Sequence, residues 1–233
     1  MKNKNILIVG ASSGIGFALA QKLIADGANV YSASRNAPDL AVKKHFYWDA
    51  TNLDNSVFQE LPNQLDGLVY CPGSINLKPF NRLTINDFQQ DLQISLFGAI
   101  QVIQANLSKL KAAEQGASIV LFSTVAVQTG MSFHASVGAA KGAIEGLTRS
   151  LAAEFAPNNI RVNAIAPSLT QTPLAKNLLS TPEKIEASSK RHPLGRIGQA
   201  TDIAAMAKLL LSQDGSWITG QIFTVDGGMS SIR

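Results

Sequence analysis

The chain has 233 residues, of which 45% are hydrophobic and 15% charged, a balance typical of a globular protein with a large apolar interior. The net charge is +4, but the Lys and Arg residues are scattered singly, which argues against a nucleic-acid-binding surface. A single cysteine, Cys71, excludes an internal disulfide, and the N-terminal apolar run is too short for a signal peptide or a membrane span, so we expect a cytoplasmic protein without membrane attachment.

Short apolar runs alternate with helical patterns along the chain. Residues 6–9 are all apolar, which is typical of a strand buried on both faces of a parallel sheet. Residues 15–24 follow with apolar residues at helical spacing, and Asp26-Gly27 marks the helix end. Further predicted strands are residues 29–33, 45–48, 67–70, 118–122, 161–165 and 221–225; further predicted helices are residues 53–61, 84–113, 133–155 and 201–211.

This alternation predicts a single α/β domain over residues 1–233, with a Rossmann-type, doubly wound, seven-stranded parallel sheet. The helices are long enough to make the crossovers that parallel strands need. Residues 168–198 are an exception, because they are polar and contain three prolines. We expect one or two short helices there on a mobile flap, since long irregular insertions usually form functional lids or are disordered.

A glycine-rich segment lies between the first predicted strand and the first predicted helix. Glycines there let the backbone turn sharply and approach a pyrophosphate, while the N–H groups of the helix N-terminus favour an anion. A plain tight turn would use the same residue types, but the position at this junction favours dinucleotide binding. The expected cofactor contacts in the segment are Gly10, Ser12, Ser13, Gly14, Ile15 and Gly16.

The residues after the second predicted strand bear on the choice between NAD and NADP. An acidic side chain is expected there for the ribose hydroxyls of NAD, but this chain has Ser34 and Arg35. A guanidinium at this place pairs with the additional phosphate of NADP, so we expect NADPH to be preferred and NAD to be the second candidate. The alternative is a solvated surface arginine. Asp49, after the third strand, either accepts a hydrogen bond from the adenine or caps a helix before Asn52.

Several motifs together closely resemble the short-chain dehydrogenase/reductase family. They are the glycine-rich segment, Lys141 in its predicted helix, residues 161–167, and residues 218–228. The resemblance covers the whole chain, and its C-terminal part looks most like the branch of 3-oxoacyl-acyl-carrier-protein reductases. It implies cofactor contacts from Gly73, Lys141, Pro167 and Thr172, and a homotetramer or homodimer built through the two long helices. The outer faces of these helices carry Phe97, Val102, Leu147 and Leu151.

The family's catalytic residues are an asparagine, a serine, a tyrosine and a lysine, of which this chain keeps the lysine as Lys141. The resemblance places Ser95 at the asparagine position, Thr124 at the serine position and Val137 at the tyrosine position. Valine cannot donate a proton, and loss of a general acid typically slows a reaction by about 10²–10⁴-fold. Residues 70–73 also depart from the usual Asn-Asn-Ala-Gly, and Ser168 replaces a glycine after Pro167.

His134 is a candidate replacement donor. It precedes Lys141 by seven residues, close to two helical turns, so the two side chains share a face if the helix extends that far. The spacing is similar to the enoyl-reductase branch of the family, where a tyrosine stands seven residues before the lysine. The alternative is an inert, partly exposed histidine in the loop before the helix.

Two functions therefore stay open. The first is an NADP-dependent oxidoreductase with an altered proton-donor site, which acts on a carbonyl or a conjugated small molecule. The second is a cofactor-binding paralogue without turnover that has a regulatory or assembly role. The sequence identifies no substrate, and no spaced cluster of His, Cys, Asp or Glu predicts a metal site.

Overall fold

The computed structural model describes residues 1–52 and 54–232 and is built around a parallel sheet. Its strands are β1 (Asn5–Val9), β2 (Asn29–Ser34), β3 (Lys44–Tyr47), β4 (Gly67–Tyr70), β5 (Ala117–Phe122), β6 (Ile160–Pro167), β7 (Thr170–Gln171), β8 (Gly198–Gln199) and β9 (Ile222–Val225). Seven of them form one sheet in the order β3-β2-β1-β4-β5-β6-β9, while β7 and β8 pair separately. The order reverses between β1 and β4, and in such sheets ligands bind at this point, beyond the carboxyl ends of the strands.

Helices cover both faces of the sheet. They are α1 (Gly14–Ala25), α2 (Ile85–Leu92), α3 (Gly98–Lys111), α4 (Ala126–Thr129), α5 (Ala135–Phe155), α6 (Pro182–Ser189) and α7 (Ala200–Leu211). Alternate residues of β1 show how the core is divided. Leu7 and Val9 pack in the cluster with α3 and α5, whereas Ile6 and Ile8 pack in the cluster with α1 and α7. Burial on both faces explains why this strand is apolar at consecutive positions.

The predicted fold class is confirmed, and the predicted strands appear within one or two residues of their predicted bounds. The helical segment predicted near residues 53–61 is shorter in the structure and is not an α-helix. A 3₁₀ helix, Ser56–Glu60, lies there instead, and Leu53 itself falls outside the described residues. The side chains of Asn52 and Asp54 accept hydrogen bonds from main-chain N–H groups two residues further on, and such turns compete with an α-helix.

The long helix predicted over residues 84–113 exists but is interrupted by a π-helical turn, Gln93–Phe97, between α2 and α3. The buried Tyr70 hydroxyl donates to the carbonyl of Ile94 in this turn, at 2.5 Å. A Cβ atom at Gly98 would lie 2.1 Å from the same hydroxyl oxygen. Tyr70 is one of the residues that depart from the family pattern. Its hydroxyl bonds the π-helical turn and occupies the space that a side chain at position 98 would need.

The segment of residues 168–198 contains the short helices that its composition predicts. A 3₁₀ helix, Pro173–Leu179, precedes α6, and the β7–β8 pair joins the two ends of the segment. The mobility of this flap stays a prediction.

The outer faces of α3 and α5 are less apolar than the sequence indicates. Phe97 is 45% exposed, but Val102 is fully buried in the core, so its assignment to the outer face is wrong. Leu147 and Leu151 are partly buried against the same core cluster. Among the described residues, no helix has the length and apolar character needed to cross a bilayer.

Candidate active site

Two adjoining cavities lie at the carboxyl edge of the sheet. The first, here called the cradle cavity, has a volume of about 560 Å³ and is lined by the glycine-rich segment and the ends of β2 and β3. The second, the lysine cavity, has a volume of about 330 Å³ and is lined by the ends of β5 and β6, the start of α5 and the flap. The two cavities share part of their walls, and the residues that line both are Ile15, Cys71, Gly73, Thr172 and Leu174.

The cradle is formed by close contact between the end of β1 and the start of α1. A Cβ atom at Gly16 would lie 2.3 Å from the carbonyl oxygen of Gly10, so only glycine allows this approach. Gly10 and Gly14 have φ angles of 86° and 57°, which also favour glycine. Within the described chain, Ser13 makes no side-chain capping bond to α1, and the first turn of the helix holds no acidic residue. Main-chain N–H groups and the helix dipole are therefore available to an anion, as a bound pyrophosphate requires.

The far end of the cradle cavity carries one positive and one negative side chain. Arg35 is exposed and lines the wall, and the hydroxyl of Ser34 donates to the carbonyl of Asn36. Asp49 does not cap a helix, because the next helix begins only at Ser56; its carboxylate accepts bonds from the main chain and the hydroxyl of Thr51 in a turn. These bonds, with a smaller contribution from the charge of Arg35, hold the pKa of Asp49 below its usual value.

Lys141 is the buried charge of the lysine cavity. It is 7% exposed, and its Nζ atom donates to the carbonyl of Phe122 at the end of β5, at 2.9 Å. Burial lowers the pKa of Lys141 to about 8, against an opposing effect from Cys71 and Asp91. Burial also raises the pKa of the Cys71 thiol to about 12, which agrees with an unreactive cysteine. A Cβ atom at Gly73 would lie 3.3 Å from Nζ, so the backbone at Gly73 lies close to the ammonium.

Val137, Thr124 and His134 also line the lysine cavity, together with Pro167. Val137 is 6% exposed, lies one helical turn before Lys141 and presents only an apolar surface. Thr124 keeps a hydroxyl at the cavity wall, with a long contact of 3.4 Å from the N–H of Ala126. His134 lies at the N-cap of α5, because the helix begins one residue later, and its Nδ1 atom is 2.7 Å from the carbonyl of Ser132. His134 therefore borders the lysine cavity from the end of the loop that precedes α5 and not from within the helix.

Ser95 is placed differently from the other predicted catalytic residues. It lies in the π-helical turn, is 1% exposed and does not belong to the described lining of either cavity. Its hydroxyl has no hydrogen-bond partner among the described residues, and neither has Oδ2 of the buried Asp91. The other oxygen of Asp91 accepts from Ser74, whose side chain does reach the lysine cavity. The buried carboxylate of Asp91 therefore lies behind the wall of the lysine cavity, bonded to Ser74.

Sequence reasoning missed a pair of residues on the flap side of the lysine cavity. The hydroxyl of Ser168 lies 2.9 Å from Nε2 of His192, and both residues line the cavity. Ser168 stood out as a departure from the family pattern, but 24 residues separate it from His192, and no local periodicity connects them. The described ranges contain no group of three or more His, Cys, Asp or Glu side chains that could hold a metal ion.

Comparisons with known proteins find similar chains over almost the full length. A family profile described as Enoyl-(Acyl carrier protein) reductase matches residues 10–230. A tropinone reductase homologue from Arabidopsis thaliana is 33% identical, covering 99% of this chain and 94% of the relative. The 3-oxoacyl-[acyl-carrier-protein] reductase of Aquifex aeolicus is 32% identical, covering 98% of each chain. The solved structure of ElxO with NADP bound has a TM-score of 0.88 at 28% identity, covering 99% of this chain and 100% of ElxO.

The buried lysine predicts a specific dependence of stability on pH. The pKa of Lys141 is about 8 in the folded protein, against an ordinary value of 10.5 for an exposed lysine, so between these values the unfolded chain binds more protons and stability rises with pH. We expect the free energy of unfolding of the wild type, minus that of Lys141→Met, to rise between pH 8 and 10 by about 2 kcal/mol. Urea unfolding of both proteins across this range measures the difference, and a constant difference would contradict the lowered pKa.

Proposed function

Because the chain belongs to the short-chain dehydrogenase/reductase family of oxidoreductases, we propose that it transfers a hydride between NADP(H) and a carbonyl or conjugated small molecule, with an altered proton-donor site. The family profile covers residues 10–230, and a relative 33% identical spans 99% of the chain. The observation that carries the proposal is that the cradle cavity shares part of its wall with the cavity around Lys141, which suits a dinucleotide lying across both.

Each part of the site has a separate task in this proposal. The cradle binds the pyrophosphate through main-chain N–H groups, and Gly73 and Thr172 line both cavities. When bound, the nicotinamide cofactor supplies or accepts the hydride. The ammonium of Lys141, fixed by the carbonyl of Phe122, stabilises negative charge that develops on a substrate oxygen. Thr124 offers a hydroxyl to the same oxygen.

The preference for NADP(H) rests on the charges at the end of β2. Arg35 lines the cradle cavity with its side chain exposed, so the guanidinium can pair with a phosphate on the adenosine ribose. Asp49 is the acidic side chain on the same wall, but two hydrogen bonds hold its carboxylate toward Thr51. ElxO, a structural relative, has NADP bound, which supports the same choice.

We expect Arg35→Ala to weaken NADPH binding by roughly 10- to 100-fold, because a charge-assisted hydrogen bond contributes on the order of 1.5–3 kcal/mol. Binding of NADH should change little, since NADH lacks the additional phosphate. Calorimetric titration of both nucleotides measures the two effects. The matched control is Arg82→Ala, because Arg82 is also exposed but lies outside the described lining of both cavities. Unchanged NADPH affinity in Arg35→Ala would show that another group selects the cofactor.

The altered proton-donor site rests on Val137. Reduction of a carbonyl needs a proton for the developing alkoxide, and the apolar Val137 cannot supply one. The ammonium of Lys141 would help a phenol placed one turn earlier on α5, because a nearby positive charge favours the ionised phenol. The same loss of a donor favours the alternative function, a cofactor-binding paralogue with a regulatory or assembly role.

Substitution of the valine separates these two functions. We expect Val137→Tyr to fold, because the position borders an open cavity, and to increase NADPH-dependent reduction of activated ketones over the wild type. Val137→Phe fills the same space without a hydroxyl and is the matched control. Steady-state NADPH oxidation across ketones, quinones and enoyl thioesters measures the gain. Absence of NADPH oxidation in both the wild type and a folded, NADPH-binding Val137→Tyr protein would favour the paralogue without turnover.

We also propose that the protein is a homotetramer or homodimer through the helices that contain Phe97 and Leu147. Phe97 is 45% exposed and Leu147 is partly buried, so association would remove apolar surface from water. Light scattering of the folded protein at micromolar concentration should give at least twice the monomer mass of 24.7 kDa, and a monomer would contradict the proposal. The cytoplasmic location stays a prediction.

A further inference from the structure

The pair of Ser168 and His192 is the feature of the lysine cavity that the proposed function leaves unused. Ser168 directly follows Pro167 at the end of β6, and His192 ends the turn after α6. His192 is 3% exposed, yet both residues belong to the cavity wall. Their side chains meet at 2.9 Å, within the range of a direct hydrogen bond.

The second ring nitrogen of His192 determines the direction of this hydrogen bond. Nδ1 lies 2.8 Å from the main-chain carbonyl of Ser188, and a carbonyl oxygen only accepts hydrogen bonds. Nδ1 must therefore carry a hydrogen in either charge state of the ring, and Nε2 is the atom that gains or loses a proton. In the neutral ring Nε2 accepts from the hydroxyl of Ser168, and in the charged ring it donates to that oxygen.

One negative and two positive side chains lie near His192. Asp226, in the turn after β9, is buried, and hydrogen bonds from Ser230 and Gly228 keep it ionised. Burial opposes this charge, but those bonds, with a contribution from His192, lower the pKa of Asp226 below its usual value. Arg191 precedes His192 in the chain and Lys141 lines the same cavity, and these two positive charges oppose the protonated ring.

We propose that Ser168 and His192 form a proton relay that serves the lysine cavity in place of the family's tyrosine. The inference rests on the proposed function and names the group that completes it. In the direction of reduction, a carbonyl carbon gains the hydride and its electron pair from NADPH. The carbonyl oxygen takes the proton of the Ser168 hydroxyl, and Oγ takes the proton of Nε2 from the charged His192. His192 is left neutral and recovers one proton from solvent, while NADPH leaves as NADP⁺.

In this relay Ser168 is the catalytic residue, because its hydroxyl touches the substrate oxygen. His192 is a positioning residue that also stores the proton. Relay through the pair requires the charged ring for reduction, so the rate of reduction must fall as pH rises through the titration of His192. A purely structural bond between the ends of the flap would produce no such dependence.

The test uses 2,2,2-trifluoroacetophenone as the ketone probe and NADPH as the reductant. We expect Ser168→Ala and His192→Gln each to lower kcat/KM by roughly 10²-fold or more, the usual effect of losing acid–base catalysis. Ser168→Thr, which keeps a hydroxyl, should recover most of the loss. The wild-type rate should fall as pH rises, with the midpoint at which ¹⁵N spectra show Nε2 of His192 losing its proton, and His192→Gln should lack this decline.

A second pair in the chain provides the matched control. The hydroxyl of Ser32 lies 2.8 Å from Nδ1 of His45 between β2 and β3, outside the described lining of both cavities. Ser32→Ala and His45→Gln should keep the rate and pH dependence of the wild type.

The outcomes distinguish the relay from the proposed function. Turnover that persists in Ser168→Ala and His192→Gln within threefold of the wild type, with the same pH dependence, overturns the relay alone. Absence of NADPH binding in the wild type overturns the proposed function, and binding without any turnover overturns both. The spectra give a readout that needs no substrate, because a neutral ring with its hydrogen on Nε2 contradicts the relay in every case.

Discussion

The hydrogen bond from Nζ of Lys141 to the carbonyl of Phe122 connects the elements on which the candidate site depends. It joins α5 to the carboxyl end of β5 and holds an ammonium with 7% exposure in the wall of the lysine cavity. A buried charge costs free energy unless it is well bonded, so the site places its least favourable group where an anion or a developing oxyanion would compensate it. The glycine at position 73 makes room for that group, and the neighbouring strand ends complete the walls.

The fold was predictable from the sequence where the signal is local. Residues 6–9 are apolar at consecutive positions because β1 packs against helices on both faces, and the glycine at position 27 follows the end of α1 with a positive φ angle. The helical segment predicted near position 56 is not an α-helix, because short polar side chains bond the neighbouring main chain, a competition that apolar periodicity does not express. The π-helical turn depends on a tyrosine more than twenty residues earlier and was not predictable.

In the candidate site, too, the sequence predicts groups of residues that are close together in the chain but not contacts between residues that are far apart in it. The cradle was predictable because its glycines, turn and helix start lie within seven residues, and Arg35, Asp49 and Lys141 line the cavities expected of them. Ser95 is the exception, since its hydroxyl is enclosed by packed helices whose arrangement no local pattern gives. Ser168 and His192 are 24 residues apart, and the path of the flap, whose ends are paired through β7 and β8, brings them into contact.

The bond between Tyr70 and the π-helical turn limits how this chain can change over evolution. An asparagine at position 95 would have to enter a turn whose carbonyl at Ile94 is bonded by the phenol and whose next helix begins at a glycine matched to the same ring. Replacing Tyr70 leaves the carbonyl of Ile94 without its partner, and a side chain at Gly98 would overlap the phenol. Positions 70 and 98 therefore constrain each other, and a larger residue at position 98 would require a smaller one at position 70.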